Sequence, residues 1–397
     1  MGGGMIGALV RRLVKAGDLT VKLPGGREIQ AGDGTPPRVI LRFTRAGVRR
    51  LLANPGLGLA EAYMDEDAVL EHGSMYDLLE IVGRSGSRGP KGRGSFAKRT
   101  RRAVKRRLQQ ANDRVAARKN VAHHYDLSND FYRRWLDADM QYSCAYFARP
   151  DMTLEEAQVA KKRHLAAKLM LKPGHKVLDI GSGWGGLGMT LAGDYGADVL
   201  GVTLSTEQLA LARERAQAAG LSGKVRFELQ DYRDVQGPFD RIVSVGMLEH
   251  VGAPNFRKYF ETVKRQLADD GVAVIHTIGR MSPPSLTHAF TQKYIFPGGY
   301  IPSMSEITRA IEDAGLWITD VEVLRLHYAE TAKAWLQRFL ADPEIPQLYD
   351  GRFRRMWEFY LAGAEMGFRY GTHMIMQFQL TRKVDVVPIT RDYLLGS

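Results

Sequence analysis

Val177-Leu-Asp-Ile-Gly-Ser-Gly-Trp-Gly-Gly186 is an apolar run that ends in an acid and passes into four glycines within six residues. It reads as a buried strand that breaks into a tight turn and opens a helix. Glycine has no Cβ, so backbone N–H groups at such a turn reach a ligand closely and φ > 0 is permitted. Strand, glycine turn and helix together are how α/β folds seat a nucleoside-like cofactor. A GxG turn alone names no ligand, so the neighbouring segments must narrow the choice.

From about residue 121 the chain alternates strand and helix. Strands are expected at Lys176–Ile180, Asp198–Thr203, Val225–Leu229, Arg241–Val245 and Val272–His276, with helices between them such as Thr206–Ala219. This alternation predicts an α/β parallel sheet covered on both faces. Two late runs, Ile318–Leu326 and Met374–Val384, are expected to pair antiparallel at its end. Upstream, residues 1–83 read as a smaller α+β domain. Leu23-Pro-Gly-Gly-Arg27 is its turn signal, Val39–Phe43 its clearest strand, and Ala46–Ala53 and Ser74–Val82 its helices. The expected division is therefore 1–83, a segment 84–120, and a main domain 121–397.

The 84–120 segment holds the charge. It carries fourteen lysines and arginines and one acid, Asp113, a net of +13; the whole chain is +12, which leaves −1 for the remainder. Gly83–Ser95 is Gly/Ser/Pro-rich, and Lys98–Arg118 is compatible with a helix. A solvated linker is one reading. A polyanion contact is the other, because anionic headgroups attract such a segment by roughly 1 kcal/mol per basic residue. Phe96 is the single aromatic residue there, so base stacking is poorly served and a membrane surface is favoured over nucleic acid.

At 397 residues the chain is long enough for two domains, and 44% hydrophobic with 25% charged residues excludes a disordered or fibrous class. Cys144 is the single cysteine, so intrachain disulfides and the usual metal-site spacings are excluded, which fits a reducing cytosol. No apolar run approaches the ~20 residues that span a bilayer. Met1–Val10 lacks the charged start of a signal peptide, and Ile6 replaces the hydroxyl residue of a myristoylation signal.

The second strand ends in Gly201-Val-Thr-Leu-Ser-Thr-Glu-Gln208, without the terminal acid of a dinucleotide site. Thr203, Ser205 and Gln208 are candidates to hydrogen-bond ribose hydroxyls instead. The third ends in Gln230-Asp-Tyr-Arg-Asp234, where Asp231 suits an exocyclic adenine amine and Tyr232 suits the ring face. Each polar residue is equally suited to a helix cap or turn. Three strand ends in series favour a site.

These segments resemble the class I S-adenosylmethionine-dependent methyltransferases, and within them the cyclopropane-fatty-acid and mycolic acid cyclopropane synthases. The resemblance rests on Ala122-His-His-Tyr-Asp126, Gln141-Tyr-Ser-Cys-Ala-Tyr146, Leu178–Gly186, Val202–Gln208, Val245-Gly-Met-Leu-Glu-His-Val-Gly252, His276-Thr-Ile-Gly279 and Phe296-Pro-Gly-Gly-Tyr-Ile-Pro302. They stand in family order over about 120–384. Glu61-Ala-Tyr-Met-Asp65 is similar to the small N-terminal lipid-binding domain of the phospholipid-acting members, although Ala60 stands where many relatives have glycine.

The resemblance implies a Rossmann-like catalytic domain. It implies that Tyr142, Ser143, Gly181, Gly183, Thr203, Ser205 and Gln208 hold S-adenosylmethionine, with Asp231 and Tyr232 at the adenine. It implies a bicarbonate ion held by Cys144, Glu249, His276, the backbone of Ile278, and Tyr360. It further implies methylene transfer across a cis double bond of phospholipid acyl chains, and a homodimer. With the basic segment 84–118 on an anionic surface, the expected place is the inner face of the membrane, on the cytoplasmic side. The physical logic agrees: an alkene is a poor nucleophile, so positioning must supply much of the rate, and ring closure needs a base in an apolar setting. Aromatic residues near 290–300 and 353–370 are candidates to steady a cation. A methyl-branched or methylene product, and a non-catalytic lipid- or nucleic-acid-binding protein, are the alternatives.

Overall fold

A computed structural model describes residues 2–86 and 127–394. The helix expected at Lys98–Arg118 and most of the basic segment lie outside the described residues. The described chain forms two compact units, one of residues 2–86, 288–295 and 328–372, the other of 127–287, 296–327 and 373–394.

In the first unit, β1 (Asp18–Lys22) and β2 (Glu28–Gly32) form a hairpin around the Leu23–Arg27 turn, closed by Leu23 N donating to Arg27 O at 2.8 Å. β3 (Arg38–Phe43) lies parallel to β1, and β4 (Ala68–His72) antiparallel to β3, giving the order β2-β1-β3-β4. Leu19, Val21, Ile29, Val39 and Leu41 face a core shared with Leu78 and Ile81 of the helix Met75–Ser85. That helix starts on a capping box of Ser74 and Asp77, which satisfies two end N–H groups.

The first unit is not contiguous in sequence. Tyr63 donates to Glu358 Oε2 at 2.7 Å and Tyr76 to Glu365 Oε1 at 3.0 Å, 295 and 289 residues further along. The phenols supply partners for the buried Glu365 and the half-buried Glu358 carboxyls. Thus 288–295 and 328–372, placed by the sequence reading within 121–397, pack with the first 83 residues. Long-range polar pairs of this kind leave no local pattern.

The second unit contains β5 (Lys176–Ile180), β6 (Asp198–Thr203), β7 (Val225–Leu229), β8 (Phe239–Val245), β9 (Leu267–Arg280), β10 (Trp317–Leu324) and β11 (His373–Thr381). Their order is β10-β11-β9-β8-β5-β6-β7. The five from β5 to β9 pair in parallel, and β11 joins β9 and β10 antiparallel, as the alternation and the two late runs predict. Alternate residues feed opposite faces. Leu178, Ile180 and Ile242 pack with Tyr259 and Ile311 on one side, while Val177, Val199 and Val243 pack with Leu187 and Ala212 on the other. From β5 the chain winds to β6 and β7 on one side and to β8 and β9 on the other, which leaves a crevice at the carboxyl ends of β5 and β8.

β9 runs four residues beyond the expected His276 terminus. β8 stops at Val245, opposite His276, but β11 continues to pair as far as Arg280. Pairing on one side sustains a strand through Thr277-Ile278-Gly279, where the residues themselves read as an end.

Candidate active site

A cavity opens at those carboxyl ends. Its wall includes Asp179, Gly181 and Gly183 after β5, Thr203 and Gln208 after β6, Tyr232 after β7, and Gly246 and Met247 after β8. Tyr142 and Ser143 line it as well. The glycine turn is held by Gly181 N and Ser182 N, which both donate to Val202 O, at 2.9 and 3.0 Å. Gly185 has φ +83°, and a Cβ there would sit 2.7 Å from the Phe227 ring, so both backbone and packing require glycine. Tyr142 is set in an aromatic cluster, its ring 5.6 Å from Tyr132 and 5.4 Å from Trp135.

Seven of the nine residues expected at the cofactor line this cavity. The other two take the capping role that their types also suit. Ser205 caps the helix Thr206–Ala218, accepting from Gln208 N at 3.3 Å. Asp231 accepts from Arg233 N at 3.0 Å and Arg233 Nε at 2.8 Å, because the intervening turn folds the guanidinium back onto its carboxylate. Neither is part of the cavity wall. Thr203 Oγ1 donates to Gln208 Oε1 at 3.3 Å, which ties the β6 end to the helix that follows.

Three of the expected anion ligands, Glu249, His276 and Ile278, adjoin this cavity through the backbone. Gly246 N donates to His276 O at 2.9 Å, the last rung between β8 and β9. The next β9 donor on that side, Ile278 N, has lost its strand partner and donates to Glu249 Oε1 instead. Glu249 is pinned from behind by Tyr300 N, which donates to its carbonyl at 2.9 Å. Burial raises the Glu249 carboxyl to about 7, against the opposing Ile278 bond. Burial also lowers His276 to about 3, so its imidazole is neutral. Gln377, cross-strand from His276, places Nε2 3.1 Å from His276 Nδ1. With Nδ1 as acceptor, the proton sits on Nε2.

His276 Nε2 and Glu249 Oε2 are buried without a hydrogen-bond partner among the described residues. In the neutral forms both are donors, an imidazole N–H and a carboxyl O–H, so they suit a small oxyanion. Cys144 is fully buried, with Sγ 3.2 Å from Ala145 O. Tyr360 belongs to the other compact unit, on the helix Gly351–Arg369, where its ring meets Trp357 edge to face at 5.2 Å.

Among the cavity residues that sequence reasoning missed are Gln141, Asp179, Trp184 and His250. Asp179 is buried, its Oδ2 lacks a partner among the described residues, and desolvation lifts its carboxyl to about 7. The acid that ends the apolar run was its signal. Trp184, inside the glycine turn, donates to Asn129 Oδ1 at 2.7 Å. His250 had the plainest signal, standing next to Glu249; burial holds it at about 4 and its ring meets Phe296 at 5.8 Å.

Comparison with known proteins agrees with this geometry. A family model described as mycolic acid cyclopropane synthetase matches residues 112–378. The chain is 40% identical over 338 residues to the cyclopropane-fatty-acyl-phospholipid synthase of Escherichia coli K12, covering 85% of this chain and 86% of that protein. It is 42% identical over 272 residues to a probable fatty acid methyltransferase of Pseudomonas putida, covering 66% and 69%. Among solved structures it is similar to the mycolic acid cyclopropane synthase CmaA1 complexed with SAH and CTAB, with 36% identity, a TM-score of 0.63, and coverage of 66% of this chain and 97% of that one. Glycine turn, strand-end cavity and family match converge, and the chain belongs to the mycolic acid cyclopropane synthetase family of S-adenosylmethionine-dependent methyltransferases.

Proposed function

We propose that this protein is a cyclopropane-fatty-acyl-phospholipid synthase, adding one methylene from S-adenosylmethionine across a cis double bond of a phospholipid acyl chain. The observation that carries it is the pair of buried polar atoms, His276 Nε2 and Glu249 Oε2, that have no hydrogen-bond partner among the described residues and lie beside the strand-end cavity. A methyltransferase acting on an ordinary nucleophile has no need of a buried oxyanion site there.

S-adenosylmethionine, when bound, supplies an electrophilic methyl, and bicarbonate, when bound, supplies a base. Gly181, Gly183, Thr203, Gln208, Tyr142, Ser143 and Tyr232 are the residues suited to the first. Neutral His276 and protonated Glu249 are suited to the second, with the Ile278 N–H holding the Glu249 carboxyl in place. Glu249 near 7 matters because two full negative charges that close would repel. The aromatic cluster around Tyr142 backs the cavity wall with packed rings. Cys144 and Tyr360 join the set by resemblance to the family. The basic segment 84–118 is proposed as the contact with an anionic membrane surface, and a homodimer as the assembly.

A second reading is methyl transfer without ring closure, favoured by the Pseudomonas putida relative's description as a probable fatty acid methyltransferase. Proton NMR of lipid recovered after incubation with S-adenosylmethionine and cis-unsaturated phospholipid vesicles separates the two. Strongly upfield ring-methylene protons are expected. New methyl or vinylic signals without them would support the second reading, and unchanged lipid would defeat both.

A further inference from the structure

Lys161 is a lysine placed where a charge is costly. It lies on the helix Leu154–Lys168, is 1% exposed, and is lowered to about 8 by burial. Asp137 and Asp139 supply opposing negative charge. Its Nζ donates to Gln141 Oε1 at 2.6 Å and to Ser143 Oγ at 2.9 Å. The same stretch is clamped by Gln158, whose Nε2 donates to the carbonyls of Gln141 and Ser143 at 3.2 and 3.0 Å. Asp137 Oδ1 completes the clamp by accepting from Gln141 N at 2.8 Å. Gln141, Tyr142 and Ser143 all line the cavity.

An ammonium has donors only, whereas a hydroxyl has one donor and two lone pairs. The contact from Lys161 therefore occupies a lone pair of Ser143 Oγ and turns its proton away from the lysine. A cation behind that hydroxyl polarises it, so the group it favours in the cavity is an anion. Of the groups on S-adenosylmethionine, only the amino-acid carboxylate is anionic. We propose that Lys161 is a positioning residue that commits the Ser143 hydroxyl to donate to the carboxylate of the cofactor's amino-acid end. This rests on the S-adenosylmethionine reading above.

Isothermal titration calorimetry with two nucleosides tests it. S-adenosylhomocysteine has the amino-acid end and 5′-methylthioadenosine lacks it. Lys161→Met is expected to weaken S-adenosylhomocysteine by up to about 10-fold, no more than the loss of the Ser143 bond it orients, and 5′-methylthioadenosine by less than about 3-fold. Ser143→Ala, which leaves the buried ammonium in place, is expected to weaken S-adenosylhomocysteine by about 10-fold with the same selectivity. Equal losses for both ligands in a folded Lys161→Met protein would make the lysine merely structural and overturn the inference. Unchanged S-adenosylhomocysteine affinity in Ser143→Ala would do the same, and decides alone should Lys161→Met not fold. Wild-type protein that binds neither nucleoside would overturn the cofactor reading itself, and this inference with it.

Discussion

The backbone N–H of Ile278 donates to the side chain of Glu249 at the point where β8 has ended and β9 runs on. The carboxyl takes the rung that a strand carbonyl would have filled. The sheet edge thereby holds Glu249 in one orientation, with its second oxygen left over in a buried setting. Positioning of the acid and termination of the strand are one event.

Glu249→Gln preserves the acceptor for Ile278 but removes the titratable proton. The expected result is a fold intact by circular dichroism, S-adenosylhomocysteine binding within about 3-fold of wild type, and turnover reduced by about 100-fold, the scale of losing one preorganised group. Calorimetry and product formation by NMR check the two halves separately. Unchanged turnover would remove Glu249 from the mechanism.

Two buried carboxyls should each take stability away as pH rises between about 4.5 and 7. Glu249 and Asp179 are both raised in the folded protein, each to about 7, chiefly by burial. A raised carboxyl contributes stability that is fully present below its unfolded pKa and is lost as pH climbs through the folded one. At ~1.4 kcal/mol per pKa unit the Glu249 effect is on the order of 3 kcal/mol. Going from pH 5 to pH 7.5, the urea midpoint is expected to shift upward in Glu249→Gln relative to wild type. His276, depressed to about 3, acts in the opposite sense, losing stability as pH falls from 6.5. Comparing the two proteins at the same pair of pH values cancels its contribution.

Gln377→Leu removes the partner of His276 Nδ1. The imidazole then has no fixed tautomer, and a donor at Nε2 is no longer assured. Turnover is expected to drop about 10-fold, less than the ~100-fold or more of losing an acid–base group outright, because the imidazole itself remains. The ¹⁵N shifts of His276 should change from one protonated ring nitrogen to an averaged pair.

Gly185→Ala meets both the left-handed backbone and the Phe227 ring. Together these are expected to cost about 2–5 kcal/mol, from ~1–2 for the backbone and ~1–3 for overpacking. Thermal unfolding measures the loss. Phe227→Leu in the same chain should recover the packing share and leave the backbone share.

Replacing seven of the fourteen basic residues between Arg84 and Asn120 with serine should weaken binding to anionic vesicles, at roughly 1 kcal/mol per residue that reaches the surface. Sedimentation with phosphatidylglycerol vesicles at low and high salt reads this. Salt-insensitive binding that survives the replacement would place the membrane contact elsewhere.

Most of the catalytic unit was legible in the chain. Lys176–Ile180, Asp198–Thr203 and Val225–Leu229 formed as strands over those same residues, because strands buried on both faces are continuous apolar runs bounded by turn residues. The glycine turn was legible because a left-handed backbone and close packing both demand a residue without a Cβ. Glu249, His276 and Ile278 were legible through their motifs, but what each does there was not. The strand carrying Ile278 outlasts its neighbour only because β11 pairs on the other side, and Gln377 reaches His276 from 101 residues away. Ser205 and Asp231 show the reverse limit, since a hydroxyl or carboxylate after a strand serves a cap and a ligand equally well in sequence. Lys161 left no signal, because a lysine on a helix is read as solvated, whereas here it is buried and bonded to Gln141 and Ser143. Sequence by itself determined the periodic elements and the glycine turn, since those depend on neighbours along the chain. Tertiary structure decided which polar groups are paired, neutral or left over, since burial and partnership are set by residues far apart in the chain and near in space.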